Sequence, residues 1–172
     1  MPLTDEFLRD DRAFSSWWWL ARAYHSYALV VGRFFEEWGI TGAQYGVLRC
    51  LSDAGEDGLM LSDLSKRLMV TCGNTTGVVD RMEQANLLRR ERRTGDRRVV
   101  MARLTTAGED LFQRMRPPYV ALVRELMAEL SPEEKEALSA GCEKLHLSLE
   151  SRRQADPAVD GEAPEPAEAI AR

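Results

Sequence analysis

The sequence predicts a mainly α-helical protein with a small β-hairpin, arranged as a winged helix-turn-helix. Two short amphipathic segments, residues 62–69 and 72–83, follow each other closely enough to form the helix-turn-helix. Two strand-like segments, residues 87–92 and 98–104, flank a charged turn that contains Gly95, as a hairpin wing requires. Six helices are expected in the whole chain, and residues 41–104 form the predicted DNA-binding domain.

The segments on either side of this domain have distinct compositions. Residues 1–12 lack periodicity and are expected to form a flexible N-terminus. Residues 13–38 place apolar side chains at steps of three and four, which indicates one long amphipathic helix. Its aromatic-rich face is too large for a chain of 172 residues to cover, so we expect part of it to pack against a second subunit.

The C-terminal third is predicted to contain two helices. The first begins near Thr105, and the consecutive residues Pro117 and Pro118 are expected to kink or split it because they lack backbone donors. Ser131 followed by a proline begins the last helix, which is expected to run to about residue 151. Residues 152–172 are rich in proline, alanine and acidic side chains and are expected to be a disordered acidic tail.

The charge distribution favours a nucleic-acid partner. Residues 66–103 carry ten basic and four acidic side chains, a surplus of six positive charges in a chain whose net charge is −5. A basic module inside an acidic protein is the asymmetry expected of a protein that binds duplex DNA. A solvated strand edge is the other explanation of the arginine run, and a winged helix that docks to proteins without binding specific DNA is the alternative function.

The predicted DNA contacts lie on the second helix of the motif and on the wing. That helix has small residues near its N-terminus, which let a backbone approach base edges; its glycines either serve this approach or allow packing against the preceding helix. The arginines of the wing can enter a minor groove or hold phosphates, and Asp96 is expected to orient one of them. The predicted DNA-contacting residues are Thr71, Gly73, Asn74, Thr76, Gly77, Arg81, Arg93, Asp96, Arg97 and Arg98.

Packing of the wing follows from its apolar side chains. Val99, Met101 and Leu104 are expected to be the core contacts of the second strand. On the helix before the wing, Thr75, Val78, Val79 and Met82 are expected to face inward.

Other classes of function lack their sequence signals. His25 and His146 are far apart in the chain, and no phosphate-binding glycine loop, metal-ligand spacing or catalytic serine motif occurs, so neither catalysis nor a cofactor or metal is expected. No apolar run reaches the roughly 18 residues of a membrane span, and the N-terminus does not resemble a secretory signal. Three separated cysteines suit the reducing cytoplasm, where we expect the protein to act. Cys72 near a helix N-terminus leaves a thiol-based redox regulator as a further alternative, although a small residue at a tight position explains it too.

Over residues 14–151 the pattern resembles the MarR family of bacterial transcription regulators. The resemblance implies a winged-helix homodimer in which residues 13–40 and 105–151 build the dimer interface. It implies binding to a pseudo-palindromic operator, usually as a repressor that a small phenolic or other anionic effector releases. Asp96 and Arg98 match the wing pair of the family, Asn74 and Thr76 fall at its base-reading positions, and Gly77 departs from the longer polar residue usual there. The residues that carry the resemblance are residues 79–83, 87–90 and 96–98, with Leu104, Thr105 and Gly108.

Family pockets for effectors lie between the dimerisation helices and the DNA-binding lobe. A Trp–Arg pairing in the first helix is similar to the urate-responsive subgroup, but that subgroup carries an aspartate where this chain has Gly46, so urate is not assigned. A packed histidine is the alternative role of His25, and the tryptophan run 17–19 is explained by a dimer core with one exposed ring. The candidate pocket residues are Trp18, Arg22 and His25 in the first helix, and Tyr45 and Arg49 in the second.

Overall fold

Three antiparallel strands lie among six α-helices in the computed structural model, which describes residues 11–68, 72–93 and 96–155. The strands are β1 (Leu59–Met60), β2 (Leu88–Arg93) and β3 (Asp96–Leu104), and a 3-10 turn covers Gly55–Asp57. The helices of the described ranges are α1 (Arg12–Glu37), α2 (Gly42–Ala54), α3 (Leu61–Leu68), α4 (Cys72–Gln84), α5 (Thr106–Leu126) and α6 (Pro132–Ala155). Within these ranges, no helix has both the length and the apolar composition needed to cross a bilayer.

The described residues form two compact units, of which residues 11–42 are the first. In this unit Asp11 Oδ1 accepts hydrogen bonds from the backbone N–H groups of Ala13 and Phe14, at 2.8 and 3.2 Å. This N-cap places Arg12 inside α1, so its assignment to the flexible N-terminus is wrong, while residues 1–10 lie outside the described residues. At the other end Gly39 adopts a φ of 70°, and Ile40 N–H donates to Phe35 O at 3.0 Å, so Gly39 terminates the helix in a Schellman motif.

Helix α1 is amphipathic but keeps much of its apolar surface in solvent. Val31 and Phe35 are buried. Trp17, Leu20 and Tyr24, which share one face of the helix, remain 53%, 37% and 51% exposed. Large apolar side chains that are exposed together on one helix face are typical of an interaction surface.

The second unit comprises the described parts of residues 43–155, with its core formed by α2 to α5 and the sheet. The four residues of α4 that the sequence predicts to face inward, Thr75, Val78, Val79 and Met82, are all buried, as the helical period requires. The other core residues of this unit are Val47, Leu48, Cys50, Leu51, Leu59, Leu64, Ser65, Leu88, Ala102, Phe112 and Met115.

The sheet has the strand order β1-β3-β2, and β3 pairs with both neighbours. Ala102 is fully buried and lies opposite Leu59 on one side and Arg90 on the other. The expectation that Val99, Met101 and Leu104 form the core contacts of this strand is wrong, since all three are only half-buried. Side chains alternate between the two faces of a strand, so Met101 and Leu104 cannot share one face, and the small Ala102 takes the central position.

A compact junction connects the end of α4 to the start of α5. Thr105 Oγ1 donates to Asn86 O at 2.6 Å and accepts from Gly108 N–H at 3.1 Å, which caps α5. Thr105 N–H donates to Leu87 O at 3.1 Å. A side chain at position 108 would overlap that same carbonyl oxygen, so glycine is the residue that lets α5 pack against the chain entering β2.

Helix α5 continues through Pro117 and Pro118, so the expected split of this helix is wrong. Proline fixes φ near the helical value, and the cost of the pair is therefore the loss of backbone donors and crowding of the preceding turn. The helix has eleven residues before the pair and eight after it, and buried contacts such as that of Met115 hold it in place.

Helix α6 begins with the predicted cap and extends beyond the predicted end. Ser131 Oγ accepts from Glu134 N–H at 3.2 Å, and Glu134 Oε2 accepts from Ser131 N–H at 2.8 Å, a reciprocal capping box. The helix runs to Ala155, so residues 152–155 are helical and do not belong to a disordered tail. No proline or glycine occurs between Gly141 and Pro157, which explains the extension; residues 156–172 lie outside the described residues.

A cluster of charged side chains joins α4 to the edge strand β2. Arg90 Nη2 lies 2.6 Å from both Asp80 Oδ1 and Glu83 Oε2, and Arg90 Nε donates to Glu83 Oε2 at 2.8 Å. Glu83 Oε1 also accepts from the backbone N–H of Arg90 at 3.0 Å. One carboxylate thus satisfies the side chain and an edge donor of β2, and the hydrogen bond from Arg90 lowers the pKa of the Glu83 carboxyl below its ordinary value.

We predict that Gly108→Ala destabilises the protein by about 2–3 kcal/mol, because the added methyl group overlaps a backbone oxygen that cannot move independently. Urea denaturation measures the free energy of unfolding. The matched control is Gly141→Ala in α6, where an added Cβ meets no atom of the described chain. That variant is expected to be neutral or slightly stabilising, and equal stability of the two variants would contradict the tight junction.

We predict that Glu83→Gln lowers the free energy of unfolding by about 1 kcal/mol at pH 7, a value reduced by the partial exposure of the pair. Because folding lowers the pKa of Glu83, its contribution is present above the unfolded value of about 4.3 and is lost as the pH falls through the folded value. The difference between wild type and variant, measured by urea denaturation, should therefore shrink below about pH 4.3. A difference that stays constant to pH 2 would refute the assignment.

Candidate nucleic-acid interface

Helix α4 has one side in the core and the other side open. The open side contains Thr76 and Arg81, which are exposed, and Gly77, which is half-buried. These are three of the residues that the sequence predicts to contact DNA. The short side chains at positions 76 and 77 leave the helix backbone accessible, which is the shape that a helix needs to reach base edges in a major groove.

For the remaining predicted contacts, the structure describes either the backbone alone or no part of the residue. Gly73 and Asn74 belong to the first turn of α4, Arg93 is the last residue of β2, and Asp96, Arg97 and Arg98 are the first residues of β3. Thr71 lies outside the described residues. Arg93 pairs with Asp96 at the end of the ladder, so the backbone brings the three predicted wing arginines together at the tip of the hairpin.

The described arginines of this module fall into two groups. Arg90 is held by Asp80 and Glu83, and Arg89 Nε lies 2.6 Å from Glu91 Oε1. Arg103 donates to Glu56 O, and its Nε lies 3.4 Å from Glu91 Oε2, which is close enough for an ion pair but not aligned for a hydrogen bond. These three arginines are neutralised by carboxylates or used by the fold, so they are poor candidates for phosphate contacts.

Arg81 differs from these three arginines in its contacts. Its side chain is exposed and makes no hydrogen bond or ion pair with any residue of the described ranges. Its charge is therefore available to an anionic partner. The signal that distinguishes Arg81 from Arg90 lies in the tertiary structure, since the sequence ranks all arginines of the module alike.

Gly77 is not explained by packing between α3 and α4. A Cβ added at this position would meet only Arg81 Nη1, at an ordinary contact distance of 3.8 Å, among the described residues. At Gly46, by contrast, an added Cβ would lie 2.9 Å from Leu68 Cδ2. Of the two explanations that the sequence leaves open for the glycines of α4, the structure therefore disfavours packing at position 77.

The candidate effector residues of α1 belong to the first unit. Trp18, Arg22 and His25 lie about one turn apart along this helix. The guanidinium carbon of Arg22 lies 5.7 Å from the centre of the Trp18 ring, a cation–π contact. Arg22 and His25 are exposed, and Trp18 is half-buried.

The candidate effector residues of α2 belong to the second unit, where they meet aromatic residues of α5. The Tyr45 ring lies 4.7 Å from the Tyr119 ring and 6.0 Å from the Phe112 ring, measured between centroids. Arg49 is exposed one turn further along the helix. Tyr119 and Phe112 are absent from the candidates derived from the sequence, although their spacing of seven residues places them on one face of a helix and is the signal that points to them.

The cysteines bear on the redox alternative. Cys50 is buried, and burial raises the pKa of its thiol, which disfavours the reactive thiolate. Cys142 is exposed on α6. The side chain of Cys72, on which the redox alternative rests, lies outside the described residues.

Comparison with known proteins is consistent with this geometry. The MarR family profile matches residues 40–100, which span α2, α3, α4 and most of the sheet. The transcriptional regulator MhqR of Bacillus subtilis is 30% identical over 129 residues, covering 75% of this chain and 88% of that protein.

Two similar crystal structures extend the comparison to three dimensions. BpsR of Bordetella bronchiseptica, whose DNA binding is regulated by 6-hydroxynicotinic acid, shares 26% identity with a TM-score of 0.70 and covers 77% of this chain and 98% of its own. MepR of S. aureus in complex with DNA shares 26% identity with a TM-score of 0.71 and covers 77% and 96%. The fold, the sequence match and these relatives together show that the chain belongs to the MarR family of transcriptional regulators.

Proposed function

We propose that this protein binds a pseudo-palindromic operator in duplex DNA as a homodimer and acts as a repressor. The observation that carries the proposal is the open side of α4 next to an arginine-rich hairpin, with a local surplus of six positive charges in a chain of net charge −5. The relative MepR, of similar fold, has been crystallised with DNA. In this mode α4 enters the major groove and the wing tip contacts phosphates or the minor groove.

Dimerisation supplies the second copy of α4. Residues 13–40 and 105–151 are the proposed dimerisation segments. Apolar side chains at their surfaces support this role, since Trp19 and Leu29 in α1 and Leu147 and Leu149 in α6 are all more than half exposed. Two recognition helices about 34 Å apart would then read half-sites in successive major grooves.

An effector is proposed to release the protein from DNA. The candidate class is a small phenolic or other anionic molecule, and the candidate contacts are Trp18, Arg22, His25, Tyr45 and Arg49. Aromatic rings stack on planar ligands and arginine pairs with carboxylates, so these residue types suit an aromatic acid. The relative BpsR, which an aromatic acid regulates, supports the same class.

We predict that the full-length protein retards the DNA upstream of its own gene in a mobility-shift assay, whereas shuffled DNA of equal length competes poorly. Raising the salt concentration from 50 to 200 mM should weaken specific binding about 10³-fold if roughly six phosphates are contacted. Light scattering on the same sample should give the mass of two chains. Equal retention of any DNA, or none, would favour an interaction module without specific DNA binding.

We predict that Arg98→Ala at the wing tip lowers affinity about tenfold for every DNA sequence and reduces the salt slope by about two, one for each subunit. Arg89→Ala is the matched control, because Arg89 is already paired with Glu91 and should contribute little to DNA binding. Quantitative mobility shifts at four salt concentrations measure both. Identical losses for the two variants would remove the special role of the wing tip.

A further inference from the structure

We infer that Arg81 reads a guanine in each operator half-site, and that Gly77 is the specificity-determining gap that lets it do so. This inference rests on the proposed DNA binding and names the base contact that the proposal leaves open. Three observations on α4 support it: the space at position 77, the position of the Arg81 guanidinium, and the lack of a charged partner for Arg81 among the described residues.

The first observation is the open space beside the helix backbone at Gly77. Glycine is among the least favourable residues in the interior of a helix, so its presence there calls for a reason. The described residues supply none, since an added Cβ would contact only Arg81 Nη1 among them, at 3.8 Å. The reason that we assign is the close approach of an external surface to this side of the helix.

The side chain of Arg81 has the necessary reach. Side chains in an α-helix lean toward the N-terminus, over the residue four positions earlier. Arg81 follows this rule, and its Nη1 lies 3.8 Å from the position that a Cβ would take at Gly77. In a helix-turn-helix the N-terminal half of the recognition helix meets the bases, so this conformation carries a cation from the middle of α4 toward them.

The charge of Arg81 is not paired within α4. Asp80 precedes Arg81 in the sequence and Glu83 follows two residues later, and side chains at these spacings do not face each other on a helix. Both carboxylates lie 2.6 Å from Arg90 Nη2, and Arg81 has no partner among the described residues. A free, planar guanidinium on a groove-facing helix matches the O6 and N7 acceptors of guanine, which it binds through two hydrogen bonds.

Selection of binding sites from a randomised duplex library tests the base assignment. The wild-type protein should enrich a symmetric site with a guanine at one fixed position in each half. Arg81→Ala should keep the rest of that site but lose the preference at the guanine position, where discrimination should fall at least tenfold. An unchanged preference, or an affinity that falls equally for all sequences with a lower salt slope, would overturn base reading, the second by making Arg81 a phosphate contact.

Gly77→Ala tests the gap, because folding and DNA binding should respond in opposite directions. The variant should raise Tm by about 2–4 °C, since alanine favours the helix, and weaken binding to the selected site at least tenfold, since the methyl group separates the backbone from the bases. Gly42→Ala at the start of α2 is the control, because Gly42 lies outside the proposed dimerisation segments and DNA contacts and an added Cβ would meet the Phe35 ring at an ordinary 3.6 Å: it should not lower Tm and should leave affinity unchanged, with the oligomeric state checked by light scattering.

The outcomes separate this inference from the proposed function. A wild-type protein that enriches no common site would end the proposed sequence-specific DNA binding itself. A wild-type protein that enriches a site, combined with Gly77→Ala of undiminished affinity, would leave DNA binding in place and overturn the role of the gap. A Gly77→Ala variant with a lowered Tm would also count against it, since the glycine would then be required by the fold.

Discussion

The bond between Arg90 and the two carboxylates of α4 is the interaction on which the geometry of the DNA-binding module depends. It ties the helix to the edge strand through side chain and backbone together, because Glu83 accepts from both. An edge strand otherwise presents unpaired donors to solvent and to other chains. The same contact therefore satisfies one donor of the sheet edge, joins β2 to the helix, and neutralises acidic groups that would repel a polyanion.

Tertiary contacts also divide the arginines of the module into two groups. Arg89, Arg90 and Arg103 are engaged by carboxylates or a carbonyl oxygen of the fold, whereas Arg81 is left unpaired among the described residues. A count of positive charge treats all of them as equal. The tertiary contacts pair part of this positive charge within the fold, so fewer arginines than the sequence contains are available to an anionic partner.

The two sides of α4 differ in burial and composition. Val79 and Met82 on the inward side are fully buried, while the outward side carries a glycine that weakens the helix and at which an added Cβ would meet only Arg81 Nη1 among the described residues. Because the inward side holds the helix in place, the outward side is free to be shaped for an external surface. At the junction with α5 the reason for a glycine lies within the fold, because a side chain at position 108 would overlap the carbonyl oxygen of Leu87.

The sequence by itself determined the order of the elements, the inward residues of α4 and the basic wing. These features depend on helical period, strand period and local charge, which are set by residues close together in the sequence. It did not determine that Ala102 is the centre of the sheet, that α5 passes through two prolines, or that α6 extends to Ala155. Strand register, the support given to a proline pair and the end of a weakly patterned helix depend on distant contacts. Which arginine is bound and which is free was decided by tertiary structure alone, since ion pairs form between residues that the fold brings together.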